Sequence, residues 1–573
     1  MNPASVSIAL AGSGGAGVLT SGNALLEAAA QAGWYAYLSR SAGPQIRGGE
    51  SVTMLRICND PVESPDDTFE ILMAIDWRNF ERFAAEIPLA DNALVLGDAD
   101  TGPPPGFLTA LPVRYHELPL KRTASGIAQG RPNMLALGVL AELIGIPLQT
   151  ITDMLNRLLQ TKGQVALDAG VSCVTAGMEL AQKKLPAVQR LPAPAPRSPG
   201  ERLLITGNEA TGLGAVRGGV RFVAAYPITP ATEILEWLAP SVDKAGGTLV
   251  QAEDELASIN QIIGASFGGT PALTATSGPG MALMLESIGL AVAAEIPIVV
   301  VDVMRNGPST GIPTKSEQAD LGMALYGLHG DAPHLVLAPT SVADCLFTTQ
   351  WAVHLAEALQ VPAIVLSDQS LGQSRAVIER PADLTFMARR ETPASVSDGY
   401  QRYALTASGV SPMAIPGMAG GQYTADGLEH SPVGTPSGSA ADHAEQLHKR
   451  QQKLSGFNYG RHWADIEGKG DTAVITWGST TGPVREALAR RKAAGHTTRL
   501  IAVRLLAPAQ PASLGDALAG VERVLIVEQC HGQQFYRYLR AHYELPGEVR
   551  TFCKPGPLPI RPCDVLTQIE DWL

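Results

Sequence analysis

The chain has 573 residues, too many for one hydrophobic core, so about three or four domains of ordinary size are expected. Hydrophobic residues make up 45% and charged residues 17%, which excludes a disordered chain. A net charge of −12 with no dense Lys/Arg block excludes nucleic acid as a partner on electrostatic grounds.

The first residues lack the basic start of a secretory signal, and a cytoplasmic protein is expected. The most apolar stretch, residues 279–304, is interrupted by Glu286, Glu295, Pro297 and Asp302. It therefore reads as a buried helix followed by a buried strand, with no membrane span. The cysteines, Cys58, Cys173, Cys345, Cys530, Cys553 and Cys563, form no C-x-x-C pair. That spacing argues against a zinc site or an iron–sulfur cluster held by this chain, and no metal ligand is assigned.

Residues 1–185 open with an apolar strand at 6–11, the turn Gly12-Ser13-Gly14-Gly15-Ala16-Gly17, and a helical pattern at 18–32. This matches G-x-G-x-x-G in strand–turn–helix context, a dinucleotide signature. The acidic residue expected about twenty positions on is missing, because residues 30–43 contain no Asp or Glu. Arg40 keeps an NADP phosphate site open; the alternative is a tight turn where glycine lets helix and strand approach closely. A second glycine-rich loop carries Arg47, Gly48 and Gly49, with Lys121 farther along.

Residues 186–202 are a proline-rich linker that can form neither helix nor central strand. Residues 203–385 alternate apolar strands (221–225, 249–251, 272–275, 296–304, 363–367) with amphipathic helices. That alternation implies an α/β fold, a parallel sheet with helices on both faces. Residues 386–465 include a weakly periodic Gly/Pro/Ser/Thr-rich stretch, read as an extended insertion that wraps a partner. Residues 466–573 read as another small α/β unit, with strands at 473–477, 500–503 and 524–527.

Four segments carry the chemistry, each just after an apolar run, where a parallel sheet places its ligand-facing loops. Tyr226, Pro227, Ile228, Thr229 and Pro230 precede a helical run at 231–238. Thr229 and Pro230 suit the N-cap and first helical position, and a helix N-terminus with a hydroxyl is also a carboxylate site. Glu253, Asp254 and Glu255 open another helical pattern, where they complement a positive helix end or supply a catalytic acid. Ser277, Gly278, Pro279 and Gly280 form a glycine-rich turn before a helix. Arg305 follows a strand, in a loop stiffened by Gly307, Pro308, Gly311 and Pro313.

Together these segments resemble the alpha chain of the 2-oxoacid:ferredoxin oxidoreductases, thiamine-diphosphate enzymes that decarboxylate a 2-oxo acid onto coenzyme A. Residues 1–185 resemble that family's gamma domain, fused here to alpha, and residues 466–573 its transketolase C-terminal domain. The resemblance implies that residues 203–385 form a pyrimidine-binding domain. In it, Glu255 faces N1′ of the cofactor and promotes loss of its C2 proton, Tyr226, Pro227, Ile228, Ser277 and Gly278 support the ring, and Thr229 and Arg305 hold the substrate carboxylate. Arg47 and Lys121 become candidates for the coenzyme A and substrate channel. Where the family more often has Glu-Gln-Asn, this chain has Glu528, Gln529 and Cys530, which puts in doubt any polar contact made by that Asn.

The Gly-Asp-Gly motif that holds the Mg²⁺ of the diphosphate has no counterpart, since Gly515-Asp516-Ala517 does not fit it. The resemblance therefore implies a beta chain that brings the diphosphate end, Mg²⁺ and a [4Fe–4S] cluster, in an (alpha-beta)₂ assembly served by ferredoxin. The expected substrate is 2-oxoglutarate, giving succinyl-CoA and CO₂ or, in reverse, fixing CO₂. Pyruvate or another 2-oxo acid, and a non-catalytic NADP-binding or assembly subunit, are the alternatives.

Overall fold

Short runs of Val, Ala, Ile and Leu pair into three sheets covered by helices. A computed structural model describes residues 5–43, 49–186, 191–194, 200–312, 314–396 and 399–572. The chain divides into two compact units. Unit 1 holds residues 1–205 with 373–381 and 561–563, and unit 2 holds 206–372, 382–560 and 564–573.

Unit 1 is built on an eight-stranded mixed sheet. Its strands are β1 (Ser5–Ser13), β2 (Tyr35–Ala42), β3 (Glu50–Cys58), β4 (Phe69–Ala74), β5 (Leu89–Asp98), β6 (Arg114–Leu118), β7 (Arg202–Thr206) and the much later β14 (Arg375–Glu379). The order is β6-β5-β4-β1-β3-β2-β14-β7, with β1 antiparallel to β3 and parallel to β4. The boundaries read from sequence differ here: β14 lies inside the expected 203–385 domain yet pairs with β2. Tyr37 reinforces that pairing through a 2.7 Å bond from its hydroxyl to Ser374 Oγ. Part of the proline-rich linker is tied down as well, because Trp34 Nε1 and Asn59 Nδ2 both donate to the Pro192 carbonyl, at 3.1 and 3.3 Å.

Unit 2 carries two sheets. The larger contains β8 (Phe222–Ala225), β9 (Thr248–Gln251), β10 (Ala272–Thr276), β11 (Val299–Met304), β12 (Leu335–Leu337), β13 (Ala363–Asp368) and β18 (Leu505–Ala507), in the order β18-β12-β13-β11-β10-β8-β9. Every neighbouring pair from β12 to β9 is parallel. All six residues of β11 are buried, as expected for a strand covered on both faces. The smaller sheet contains β15 (Ala464–Glu467), β16 (Thr472–Trp477), β17 (Arg499–Val503), β19 (Arg523–Glu528) and β20 (Glu548–Cys553), in the order β15-β17-β16-β19-β20. Residues 466–573 do not stand apart, since β18 extends the larger sheet antiparallel to β12. Among the described residues no helix is long and apolar enough to cross a membrane.

The 386–465 segment wraps unit 2 itself. Arg390 donates to both oxygens of the buried Glu357, at 2.9 and 2.8 Å, and Gln360 Nε2 donates to the Ser411 carbonyl. Its one long helix, Ala440–Ser455, sends Lys449 and Lys453 to opposite oxygens of Glu295, at 2.5 and 2.9 Å, with all three side chains buried. Burial pushes the Glu295 carboxyl up, but Lys453, Lys449 and Arg402 outweigh it and hold it below the usual carboxylate range. Burial lowers Lys453 to about 8.

Removing one partner of such a buried set strands the remaining charges and costs about 3–5 kcal/mol, whereas apolar replacement of the whole set is often neutral. Glu295→Gln is therefore expected to lower the unfolding free energy of unit 2 by that amount, read as a lower midpoint in denaturant titration. The triple change Glu295→Met, Lys449→Met and Lys453→Met, which leaves only Arg402 charged, should lose less than Glu295→Gln, which strands three buried cations.

Candidate active site

The carboxyl ends of β9, β8, β10 and β11 lie side by side, and each runs into one of the four motif segments. Tyr226–Thr229 follows β8, Glu255 follows β9, Ser277–Gly280 follows β10, and Arg305 follows β11 directly. Residues up to about 80 positions apart in sequence thus meet on one edge.

Glu255 is the first residue of the Glu255–Phe267 helix and is 8% exposed. Asp254 is the N-cap, its carboxylate accepting the Ala257 N–H at 2.7 Å. The acidic run is thereby sorted: Asp254 satisfies the helix end, and Glu255 is left for other work. Across from it stands Gly280, where a Cβ would lie 2.1 Å from Thr276 Oγ1 and 2.9 Å from Glu255 Oε1. Ser277 is the N-cap of the Gly278–Ala293 helix, but its hydroxyl makes no cap bond and is buried without a partner. The buried carboxylate and the unpaired buried hydroxyl put an acceptor and a donor on this edge, and Gly280 lets its helix pack close against both Thr276 and Glu255.

Thr229 is not the helix N-cap. The helix begins later, at Thr232–Lys244, with Ala231 as N-cap, and the Thr229–Pro230 bond is cis. The Ile228 carbonyl accepts the Thr232 N–H at 3.0 Å, so the chain turns once before the helix starts. Asn208, which sequence reasoning missed, holds this turn: its Nδ2 donates to the Pro230 carbonyl at 3.0 Å and to Glu233 at 3.3 Å. Thr229 and Tyr226 are exposed, while Pro227 and Ile228 are half-buried.

Arg305 and Thr229 do meet. Arg305 Nη1 donates to the Thr229 carbonyl at 2.9 Å, and its Nε is buried with no acceptor. The loop behind the guanidinium is fixed at several points. Asn306 N–H donates to the Lys315 carbonyl at 2.7 Å, Asn306 Oδ1 accepts from Ile312 N–H at 2.9 Å, and Asn306 Nδ2 donates to Glu317. Gln318 carries the order onward, exchanging 2.8 Å bonds with the Gln529 backbone. Next to it, Cys530 does find a polar contact, donating from Sγ to Glu528 Oε2 at 2.9 Å. Burial and Glu528 push that thiol up to about 12.

Two acids in this region were not read as site residues: Asp302 at the end of β11, and Asp320 just before the Leu321–Tyr326 helix. Burial first, then the neighbouring Asp320, raises Asp302 well above the usual range. Burial raises Asp320 to about 6, with Glu317 adding and Asp302 and Arg305 opposing. Asp302 had been noted only as a charge interrupting an apolar run, yet an acid at the carboxyl end of a buried parallel strand is itself a site signal.

In unit 1 the glycine turn borders a cavity of about 910 Å³, lined among others by Gly14, Gly17, Ser51, Arg131 and Lys162. The turn spends its own donors. Ser13 N–H and Oγ–H both reach Asp76, Gly14 N–H goes to the Gly49 carbonyl, and Ala16 N–H goes to that of Ser13. A carboxylate against the turn opposes a dinucleotide diphosphate there. Lys121 is exposed, its N–H bonded to Asp98 at 3.0 Å. Arg47 lies outside the described residues.

Comparison with known proteins bears on the family and the fold. Residues 213–449 match the family model for the thiamine-diphosphate-binding part of pyruvate flavodoxin/ferredoxin oxidoreductases, and residues 7–180 match a pyruvate ferredoxin/flavodoxin oxidoreductase domain. The 2-oxoglutarate synthase subunit of Methanothermobacter marburgensis is 35% identical, covering 64% of this chain and 98% of that one. The chain belongs to the 2-oxoacid:ferredoxin oxidoreductase family, as an alpha subunit. A 2-oxoglutarate oxidoreductase subunit of Mycobacterium tuberculosis is 35% identical over 72% of this chain, and the match spans 64% of its length. A solved 2-oxoglutarate:ferredoxin oxidoreductase of Magnetococcus marinus, with 2-oxoglutarate, coenzyme A and succinyl-CoA bound, superposes with a TM-score of 0.91 at 36% identity, covering 99% of each chain.

The Gly280 contact yields a test of packing at the site. Gly280→Ala forces a methyl against Thr276 and Glu255, and such overpacking costs about 1–3 kcal/mol. Gly289→Ala in the same helix meets nothing closer than 3.8 Å and should be neutral or stabilising by about 0.5–1 kcal/mol. The denaturant midpoint should therefore fall for Gly280→Ala and hold or rise for Gly289→Ala.

Proposed function

We propose that this chain supplies the pyrimidine-binding and carboxylate-binding half of an active site that converts 2-oxoglutarate and coenzyme A to succinyl-CoA and CO₂, with electrons passed to ferredoxin. The observation that carries the reading is the meeting, on one sheet edge, of the buried Glu255 with an Arg305 that bonds the Thr229 carbonyl. The substrate is proposed from the likeness to the Magnetococcus marinus structure and the Methanothermobacter marburgensis subunit.

Thiamine diphosphate, when bound, supplies the electron sink that the side chains lack. Glu255, Ser277 and Gly280 are the residues that would hold its aminopyrimidine. Glu255 then holds a proton at N1′, which is general acid–base work at hydrogen-bond distance. Arg305 has one nitrogen committed to Thr229, which aims the planar fork; the remaining donors take the carboxylate that leaves as CO₂. The Thr229 hydroxyl adds a neutral donor beside it. Lys121 and Arg47 are retained as proposed coenzyme A contacts.

The beta partner, in an (alpha-beta)₂ assembly, is proposed to bring the diphosphate end, Mg²⁺ and the [4Fe–4S] cluster. A cytoplasmic location belongs to the same proposal.

In the assembled enzyme, Glu255→Gln should slow hydrogen–deuterium exchange at the cofactor's C2 by about 10²–10⁴, while Glu253→Gln leaves it unchanged. Arg305→Ala removes a charge-assisted bond worth about 1.5–3 kcal/mol, roughly a tenfold to hundredfold loss in kcat/KM. Thr229→Val should cost less. Both effects should be equal across a panel of 2-oxo acids that includes pyruvate; a loss confined to dicarboxylic substrates would move Arg305 to the distal carboxylate.

A further inference from the structure

A fully buried aspartate, Asp302, and a half-buried one, Asp320, flank Arg305 in sequence. Asp302 lies three residues before it in β11, paired in register with Thr276 of β10 and Leu366 of β13. Asp320 closes the loop that Arg305 opens, and its carboxylate packs on the first residue of the Gly278–Ala293 helix. A Cβ on Gly278 would stand 2.4 Å from Asp320 Oδ2. Both oxygens of Asp302, which is 0% exposed, and Oδ2 of Asp320 are buried with no partner among the protein's donors. The two carboxyl groups are within hydrogen-bonding reach of each other. Two ionised carboxylates there would face mutual repulsion and lost hydration, with Arg305 as the one cation acting on Asp320 and none acting on Asp302. One proton between them turns one acid into a donor and the other into its acceptor, and removes both difficulties.

We propose that Asp302 and Asp320 carry one shared proton and act as a positioning pair for Arg305, setting how much of its charge is left for the substrate carboxylate. This rests on the reading of Arg305 as a carboxylate-binding group. The charges facing the pair are few. Arg305 and Glu317 reach Asp320 from its own loop, and His531 faces Glu317. Thr276 and Leu366 beside Asp302 are uncharged, as are Gly278, Pro279, Gly280 and Met281 in the helix that packs on Asp320; Glu255 lies against Gly280 of that same helix.

The sign of the pH dependence follows from Asp320, raised to about 6 chiefly by burial. Above that value the pair holds one proton and one negative charge, which partly neutralises Arg305. As pH falls through about 6 the second proton enters, the pair becomes neutral, and Arg305 meets the substrate with its charge uncompensated. The 2-oxo acid carboxylate stays ionised throughout, so KM should drop several-fold across this interval.

The experiment measures KM and kcat against pH for the assembled enzyme, together with the infrared carbonyl band of a protonated carboxyl. The wild type should show the step in KM and the band at neutral pH. Asp320→Asn should keep a low KM at every pH, with kcat less affected. Asp302→Asn, whose amide replaces the shared proton as donor, should fold and retain the step while losing the band. A wild type with no such band, or an Asp320→Asn variant that keeps the wild-type step, overturns the proposal. If Arg305→Ala leaves KM unchanged, the carboxylate reading itself fails, and the positioning role with it, whatever the infrared result.

Discussion

The parallel pairing of β9, β8, β10 and β11 is the constraint on which the site depends. Parallel strands end on the same edge, and each must be followed by a crossover that starts from that edge. Four consecutive spatial neighbours therefore deliver four loops to one place, whatever their separation in sequence. The register is held by a fully buried strand surface rich in valine and alanine, so slipping one strand by a residue would turn its side chains to the wrong face. Glu255, Ser277 and Arg305 inherit their common edge from that rigidity, and local bonds such as the Asp254 cap and those of Asn306 then set each side chain.

Burial then decides what each acid does. Glu295, Glu357 and Asp302 are all buried, yet they are resolved differently. Glu295 is matched by two lysines and Glu357 by the fork of Arg390, so both fasten the 386–465 segment to the sheet domain. Asp302 is met by another acid alone. A buried carboxylate paired with a cation is a structural joint; one paired with a second carboxylate must hold a proton, and it sits where the chemistry is proposed.

The larger α/β sheet and the four motif segments were legible because they are local: an apolar run followed by glycine, proline or a capping residue marks a strand end without reference to the rest of the chain. What stayed hidden was non-local. β14 pairs with β2 across more than 300 residues, and no periodicity within either strand shows it. β12 is three residues long, too short to carry a pattern. Thr229 and Pro230 have the residue types of a cap and first turn, but the Ile228–Thr232 hydrogen bond delays the helix, and Ala231 takes the cap position. The insertion, read as wrapping a partner, is also fastened along its own unit, and that was hidden because its anchoring residues Arg390, Arg402, Lys449 and Lys453 find their acceptors outside the segment.

The central claim is that one sheet edge presents both the pyrimidine acid and the carboxylate clamp. Its most direct test is a structure of this chain assembled with its partner, thiamine diphosphate and a phosphonate analogue of the 2-oxo acid that cannot lose CO₂. The account predicts the Glu255 carboxylate at hydrogen-bond distance from N1′, and the phosphonate on the Arg305 fork beside Thr229. A pyrimidine bound away from Glu255, or an analogue whose phosphonate sits elsewhere while Arg305 points to solvent, would contradict it.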